Sequence, residues 1–600
     1  KMFSSFLDTS GFFSMNFYLL CNEAVKCLIC TRSLRHFYYF CSSVHLLNLT
    51  NEEENGQSTV NKIKLKKEKR GLTLKDIKVF EPMRQKSVES PCQFNNGDCS
   101  HLCLAADNAQ GYSCSCPRGI RLVDKFNCAD GHQEILVLAL RNGIRKISLD
   151  TPDFSDIIVP IHQDKQEDAK KTNIVAVDYD PLENKIYWTA TNNNGHLPGI
   201  SSVYPNGTGR QLIIDQDIDH PDGLAIDYLG RNLFFTDTTT DRIEVSKLDG
   251  TNRKVLISHG LDEPRDITLD LVFGYMYWSD WGVDAKIERA WLDGSHRTTI
   301  ITENITWPNG IALDVTEQRI YWCDAKWNQI ESANVDGTDR KILINELLAH
   351  PFGLTILGDY FYWTDWEDLL LERAEKYTGQ DRRVLAAHLQ DLMSVKATET
   401  QIKPIQVSQE ACLRSCMELE NFGVCPCAEE NSQNLCENNG GCSHLCLVTP
   451  MGKQCSCPNG QEIGPDQYTC HVPEAYMLFT SFGSINRASI DNDLGHNIFF
   501  HHVTNVADFM VNPESIFWID AEEKIINRAD LNGTITETKK VLVEFGVGVL
   551  ENLAVDYIGQ NVYWTDTELN RIEVVRFDGN FRRVLLWKDL QVSLNFRAQN

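Results

Sequence analysis

The sequence has no uninterrupted apolar run of about 18 residues, so no α-helical membrane span can be drawn on it. It has no excess of basic charge either. Its 57 Lys and Arg stand against 83 Asp and Glu, a formal net charge of −26, which excludes the basic face of a nucleic-acid binder. The acidity serves solubility and suits a basic protein partner, whose encounter an opposite field would speed. Cysteine is missing over a long stretch: between Cys128 and Cys412 only Cys323 occurs. Residues 11–50 are aromatic and cysteine-rich but broken by Asn, Glu, Lys and Arg, and no small-residue cleavage site marks a signal peptide. The chain starts at Lys1 and its pattern breaks off after Trp587, which reads as a piece of something longer.

A repeat is present instead. Five segments recur: Ile186–Ala190, Leu233–Asp237, Met276–Asp280, Ile320–Asp324 and Phe361–Asp365, with Trp188, Phe235, Trp278, Trp322 and Trp363 at the third place. A spacing of about 40–45 residues is that of a four-stranded propeller blade. About ten residues earlier an apolar strand ends in Asp, read as Val175–Asp178, Leu224–Asp227, Ile267–Asp270 and Ile311–Asp314. About a dozen residues later come the turns Asp249-Gly250, Asp293-Gly294 and Asp336-Gly337, where Gly supplies positive φ without steric cost. Five motifs make five blades. A sixth follows if the strands within Ile135–Asp150 pair with Leu392–Ala397 and close the ring, hiding its last edges. The Tyr and Trp of the motif are expected in blade cores, and its Asp as an acceptor for backbone N–H groups.

Most of the 21 cysteines fall in two blocks. Cys92, Cys99, Cys103, Cys114, Cys116 and Cys128 form one; Cys436, Cys442, Cys446, Cys455, Cys457 and Cys470 form the other. Such density implies disulfides and an oxidising compartment, though spacing alone leaves the pairing open. Paired C-x2-C units at matched distances, as zinc needs, are absent from both blocks. Cys412, Cys416, Cys425 and Cys427 mark an insert before the second block. Sequons at Asn48, Asn206, Asn304 and Asn532 agree with secretion. After the second block the repeat resumes at Phe517–Asp520 and Val562–Asp566, giving about half of another ring.

These stretches resemble the low-density-lipoprotein-receptor-related family, and within it the Wnt co-receptor, Arrow-like branch. The likeness is carried by Ile144–Phe154, His220–Asp227, Asp241–Gly250, Cys99–Cys103, Cys442–Cys446 and Val472–Phe479. It implies an all-β architecture: a six-bladed YWTD β-propeller flanked by disulfide-rich EGF-like modules, with a second, truncated propeller. The expected division is 1–70 unassigned, 71–87 the closing strand of an upstream propeller, 88–131 EGF-like, 132–402 propeller, 403–435 a cysteine-containing insert, 436–471 EGF-like and 472–600 the incomplete second propeller. The family's disulfide pairing implies Cys92–Cys103, Cys99–Cys114 and Cys116–Cys128, then Cys436–Cys446, Cys442–Cys455 and Cys457–Cys470. Ser87–Pro91 lacks the acidic and amide residues of the calcium-binding variant, so no metal and no cofactor is expected. Ala190, Phe235 and Cys323 depart from the family's Asp, Trp and Thr.

A propeller offers one face on which the loops leading into inner strands and those following YWTD strands converge. Place in the repeat puts Asn173, His220, Asp222, Arg265, Trp281, Trp307, Asn309, Trp327, His350, Phe352, Trp366 and Met393 there, with Glu551 at the equivalent place of the second ring. Exposed aromatics beside Arg are the material of binding hot spots. The resemblance implies binding of secreted proteins, namely Wnt proteins and antagonists of the Dickkopf and sclerostin type. It also implies a Frizzled-type second receptor, a site at the cell surface and a membrane link only through a C-terminal span not in this sequence. An endocytic lipoprotein-receptor relative or a nidogen-like matrix protein is the alternative. A propeller lactonase would need carboxylates converging on a channel metal beside a base. His220 and His350 come without a nucleophile motif, so no enzyme is expected.

Overall fold

The computed structural model describes residues 90–161, 173–191, 198–401, 407, 434–473, 475–481, 484–490, 496–501, 505–512, 514–531 and 538–588, and two short strands nearer the N-terminus. Those strands, Val44–Leu47 and Val60–Ile63, pair antiparallel within the separate unit Lys1–Ser90. The proposed closing strand at 71–87, the insert cysteines Cys412, Cys416, Cys425 and Cys427, and the sequons Asn48 and Asn532 lie outside the described residues.

Six four-stranded antiparallel sheets form the first ring. Blade one runs Ile174–Asp180, Lys185–Ala190, Gly199–Val203 and Gln211–Ile214; blades two to five repeat the order from Pro221, Pro264, Pro308 and Pro351. Blade six takes its inner strand from Leu392–Glu399, which pairs antiparallel with Glu134–Leu140, Leu392 opposite Leu140 and Glu399 opposite Glu134. The two chain ends thus close the ring and give blade six its full four strands. Trp188, Trp278, Trp322 and Trp363 are buried, as are Tyr187, Tyr277 and Tyr321. Alternation along each YWTD strand sends its Tyr and Trp to opposite faces of the blade, so each sheet is packed on both sides. Gly250, Gly294 and Gly337 take φ of 83°, 86° and 86° in the Asp-Gly turns.

One strand differs from the sequence reading. The inner strand of blade one is Ile174–Asp180, and the residue closing its turn is Asp180, opposite Lys185. Asp227 opposite Asn232 and Asp270 opposite Tyr275 hold the same place. Asp178 instead lies mid-strand, where its Oδ2 accepts the Ile226 N–H of blade two at 2.8 Å.

The cysteine blocks pair first to third, second to fourth and fifth to sixth in both modules. The second module sits on the base of the ring, against blades two and three. Asn232 Nδ2 donates to the Cys446 carbonyl, Lys247 Nζ to Asn439 Oδ1 and Lys254 Nζ to Ser456 Oγ. Leu445 and Leu447 are buried in one cluster with Phe234, Met276 and Trp278. The second ring begins with the three-stranded sheet of Tyr476–Ser481, Ser484–Ser489 and His496–His501. Two four-stranded blades follow, from Val506 and from Leu550.

Candidate functional site

On the side opposite the second module, the loops after the YWTD strands and those entering the inner strands are held by the motif's Asp. Asp324 accepts the Thr306 N–H at 2.7 Å and those of Lys326 and Trp327 at 2.9 and 3.1 Å. Asp237 and Asp365 repeat the arrangement, whereas Asp280 accepts only from the incoming loop, from the Asp262 and Glu263 N–H groups, and the loop after its strand is bonded through the Val283 N–H to Asp262. In blades two, four and five one carboxylate therefore fixes two loops, and the loops carry the face. Blade one has Ala190 in this place. There Thr191 donates its N–H to the Asn173 carbonyl, and Asn173 Nδ2 bonds Thr191 Oγ1.

Five rings join into a crescent over blades three to five. Trp281 and Trp307 lie 6.1 Å apart between centroids, Trp307 and His350 6.5 Å, His350 and Trp366 4.6 Å, and Phe352 and Trp366 5.4 Å. All five are half-buried, so the crescent both packs on the ring and faces outward. Burial holds the His350 imidazole below its usual value, while Asp365 and Glu367 oppose; at neutral pH it stacks as an uncharged ring. Cations flank both ends. Arg265 lies 4.4 Å over Trp281 and pairs with Asp222 at 2.5 Å and with Glu263 at 3.7 Å. Arg141 lies 5.7 Å from the Trp366 ring and donates to Asn173 Oδ1 at 2.8 Å. Burial raises the Asp222 carboxyl, and the Arg265 guanidinium works against that.

The remaining sequence-derived residues fall in four places. Asn309 and Met393 are buried and form the floor: Asn309 Nδ2 donates to the Pro351 carbonyl, and Met393 packs in the cluster that Phe352 and Trp366 cover. His220 is apart from the crescent, its Nδ1 bonded to Thr239 Oγ1 at 2.9 Å beside Asp219. Trp327 stands at the rim, exposed, with Nε1 donating to Thr306 Oγ1 at 3.0 Å. Glu551 belongs to the second ring, where its Oε1 accepts from Thr567 Oγ1. Two members of the site were not found from sequence. Arg141 sits in the hairpin turn of blade six, which carries no YWTD motif to align it, and Lys326, 4.9 Å over Trp307, reads as an ordinary loop lysine.

Below the crescent the ring axis narrows to a channel lined by Asp222, Arg265, Asp266, Asn309, Phe352 and Ser394. Asp266 is surrounded by protein while keeping limited contact with water at the channel mouth. Its carboxyl is pushed up to about 7 by burial, against backbone hydrogen bonds from Ile311 and Ile267 and the charge of Lys396. Among the described residues no cluster of metal-ligating side chains occurs. No helix there is long and apolar enough to cross a membrane. The arrangement is thus an apolar, aromatic surface with charged ends.

Comparison with known proteins bears on this face. The low-density lipoprotein receptor repeat class B matches residues 184–228, 231–271, 274–315 and 318–356, and the coagulation factor Xa inhibitory site family matches 436–470. The chain is 43% identical to low-density lipoprotein receptor-related protein 5 of Mus musculus, over 81% of this chain and 28% of that protein. It is 39% identical to low-density lipoprotein receptor-related protein 4 of Homo sapiens, over 81% of this chain and 24% of that one. The chain therefore spans about a quarter of the length of these relatives. Among solved structures, a chain in a nidogen/laminin complex is 30% identical with a TM-score of 0.41, covering 45% of this chain and 100% of that one.

Proposed function

Because this chain belongs with the low-density lipoprotein receptor-related proteins and carries their class B repeats, we propose that it is an extracellular, non-enzymatic part of a Wnt co-receptor. It binds Wnt proteins and their secreted Dickkopf- or sclerostin-type antagonists through the crescent of the first ring. The bound ligand is held beside a Frizzled-type receptor to start Wnt/β-catenin signalling. The observation that carries this reading is the continuous chain of Trp281, Trp307, His350, Trp366 and Phe352 on the face left free by the second module. Large aromatics and Arg are what interface hot spots are made of. The acidic balance of the chain favours basic ligands.

The test is direct binding of the secreted chain to purified Wnt and Dickkopf-type ligands, with Trp281→Ala and Trp366→Ala beside the native sequence. Each truncation is expected to weaken binding roughly thirtyfold, the effect of a hot-spot residue worth about 2 kcal/mol. Folded protein that binds neither ligand would overturn the reading.

A further inference from the structure

We propose that Asn304 carries an N-linked glycan whose innermost N-acetylglucosamine stacks on the exposed indole of Trp327, making the sugar part of the rim of the ligand face. The proposal rests on the extracellular reading above, since the modification is made in the secretory pathway.

Asn304-Ile305-Thr306 is a sequon in the loop between blades three and four. The loop backbone is fixed on every side. Ile305 is buried, the Thr306 N–H is held by Asp324 at 2.7 Å, and the Asn304 carbonyl accepts from Arg340 Nη2 at 3.0 Å. The Asn304 side chain makes no hydrogen bond among the described residues and is exposed, so a sugar on its amide displaces nothing. Asn206, the other described sequon, is exposed too. It lies in the turn after Gly199–Val203, on the base side of the ring, with its Oδ1 taken by the N–H and hydroxyl of Thr208. Of the two, only a glycan on Asn304 bears on the ligand face.

Trp327 supplies the second observation. It is 53% exposed, whereas tryptophan is on average a well-buried residue. It stacks on none of the five rings of the crescent. Its indole N–H is bonded to the hydroxyl of Thr306, the third residue of the sequon, and its backbone N–H to Asp324. The indole is therefore held rigidly beside the sequon, about two residues of chain from Asn304, roughly 7 Å, with its open surface toward solvent. A pyranose ring presents a flat face of C–H groups, and an immobile aromatic surface of this kind is what that face packs on.

The transfer balances without redox change. Asn304 Nδ2 forms a bond to C1 of N-acetylglucosamine, and the bond from C1 to the pyrophosphate oxygen of the lipid-linked oligosaccharide donor breaks. The lipid pyrophosphate leaves, and the amide proton passes to a base of the transferase.

The experiment uses the whole chain secreted from eukaryotic cells held at high-mannose glycans. Glycopeptide mass spectrometry reads occupancy at Asn304 and Asn206. Hydroxyl-radical footprinting reads oxidation of Trp327, with Trp307 and Trp366 as internal references. Three forms are compared: native glycans, glycans trimmed to one N-acetylglucosamine, and Asn304→Gln. Occupied Asn304 is expected, with Trp327 oxidation unchanged by trimming and at least threefold higher in Asn304→Gln. If that variant is not secreted, complete amidase deglycosylation of the folded native protein replaces it. A bare Asn304 beside an occupied Asn206, or Trp327 oxidation equal in all forms, overturns the proposal alone. A chain with no sugar at either sequon and retained in the cell overturns it together with the extracellular reading.

Discussion

Arg340 lies 5.2 Å over the indole of Trp322 while it forks onto Glu331, with Nε and Nη2 at 2.8 and 2.9 Å from the two carboxylate oxygens. The same guanidinium donates to the Glu303 and Asn304 carbonyls of the loop leading into its blade. Arg253, Arg297, Arg382 and Arg582 repeat this on Phe235, Trp278, Trp363 and Trp564, with Glu244, Glu288, Glu372 and Glu573. Blade one keeps Arg210 over Trp188, donating to the Ile161 carbonyl, but Ser201 stands opposite that Trp where blades two to five have Glu. Each clamp thus joins the motif's large ring, the third strand, the fourth strand and the incoming loop.

Arg340→Lys is expected to destabilise the ring, because an ammonium cannot fork onto a carboxylate and cover a ring at once. Glu331 is buried, and a buried carboxylate left with a poorer partner loses about 1–3 kcal/mol. Urea denaturation of the secreted chain measures it. Equal midpoints for Arg340→Lys and the native sequence would remove the clamp from the account.

Cys323 does the work of the Thr and Ser in the other blades. Thr236 Oγ1 accepts the Gly223 N–H and donates to the Arg265 carbonyl of the next blade; Thr364 does the same with Gly353 and Met393. Cys323 Sγ accepts from the Gly310 N–H at 3.3 Å and donates to the Phe352 carbonyl at 3.2 Å. Burial raises its thiol, so it is an inert, neutral donor. Cys323→Thr is therefore expected within about 1 kcal/mol of the native protein. Cys323→Ala strands a buried donor and acceptor and should lose about 1–3 kcal/mol. Thermal melting of the two variants decides: equal losses would mean that the thiol bonds carry nothing.

Much of this was legible in the sequence, because the ring repeats one physical solution and repetition makes a period visible. The Trp of each motif announces a blade, and closure by Leu392–Glu399 on Glu134–Leu140 follows from needing to hide two strand edges. The clamp was not legible, since its Glu lies on the third strand and its Arg just before the fourth, about nine residues apart, and both look like ordinary surface charges. The inner strand of blade one was read short, because Asp178 imitates the terminal Asp that is Asp180. For the face, place in the repeat located the loops but not the side-chain directions. Asn309 and Met393 hold the register place of Phe352, one residue after Pro308 and Leu392 as Phe352 follows Pro351, yet they are buried as the floor, a difference that place in the repeat does not carry.

Asp266 makes the ring pH-sensitive. Its folded value of about 7 lies above the unfolded 3.8, so the folded state holds a proton that the unfolded chain gives up. The stabilisation is full below pH 3.8 and is lost as pH rises through about 7. Lys396 opposes the shift and Asp178 adds to it. The whole shift corresponds to about 4 kcal/mol, which water at the channel mouth reduces. Stability of the native chain minus that of Asp266→Asn should therefore fall between pH 5 and pH 8. A flat difference curve would show that Asp266 titrates normally.

The two cysteine modules test how far the second is part of the propeller. Their leucines match by place in the Cys-Ser-His-Leu-Cys-Leu stretch, Leu102 and Leu104 with Leu445 and Leu447. Leu102 and Leu104 are each 48% exposed, whereas Leu445 and Leu447 are 0% exposed. A leucine side chain removed from a packed core costs about 2–5 kcal/mol, counting transfer and the cavity left behind. One already half in water costs far less, within about 1 kcal/mol. Leu445→Ala should therefore lower the unfolding midpoint of the ring itself, because its partners Phe234, Met276 and Trp278 belong to blades two and three. Leu102→Ala should leave that midpoint in place. Tryptophan fluorescence during denaturation follows the ring through Trp188, Trp278, Trp322 and Trp363, together with Trp518 and Trp564 of the second ring. If Leu445→Ala shifts only a separate transition that leaves this signal unchanged, the second module folds on its own and merely rests on the base. If both substitutions shift the ring equally, burial at these matched positions does not set their energetic weight.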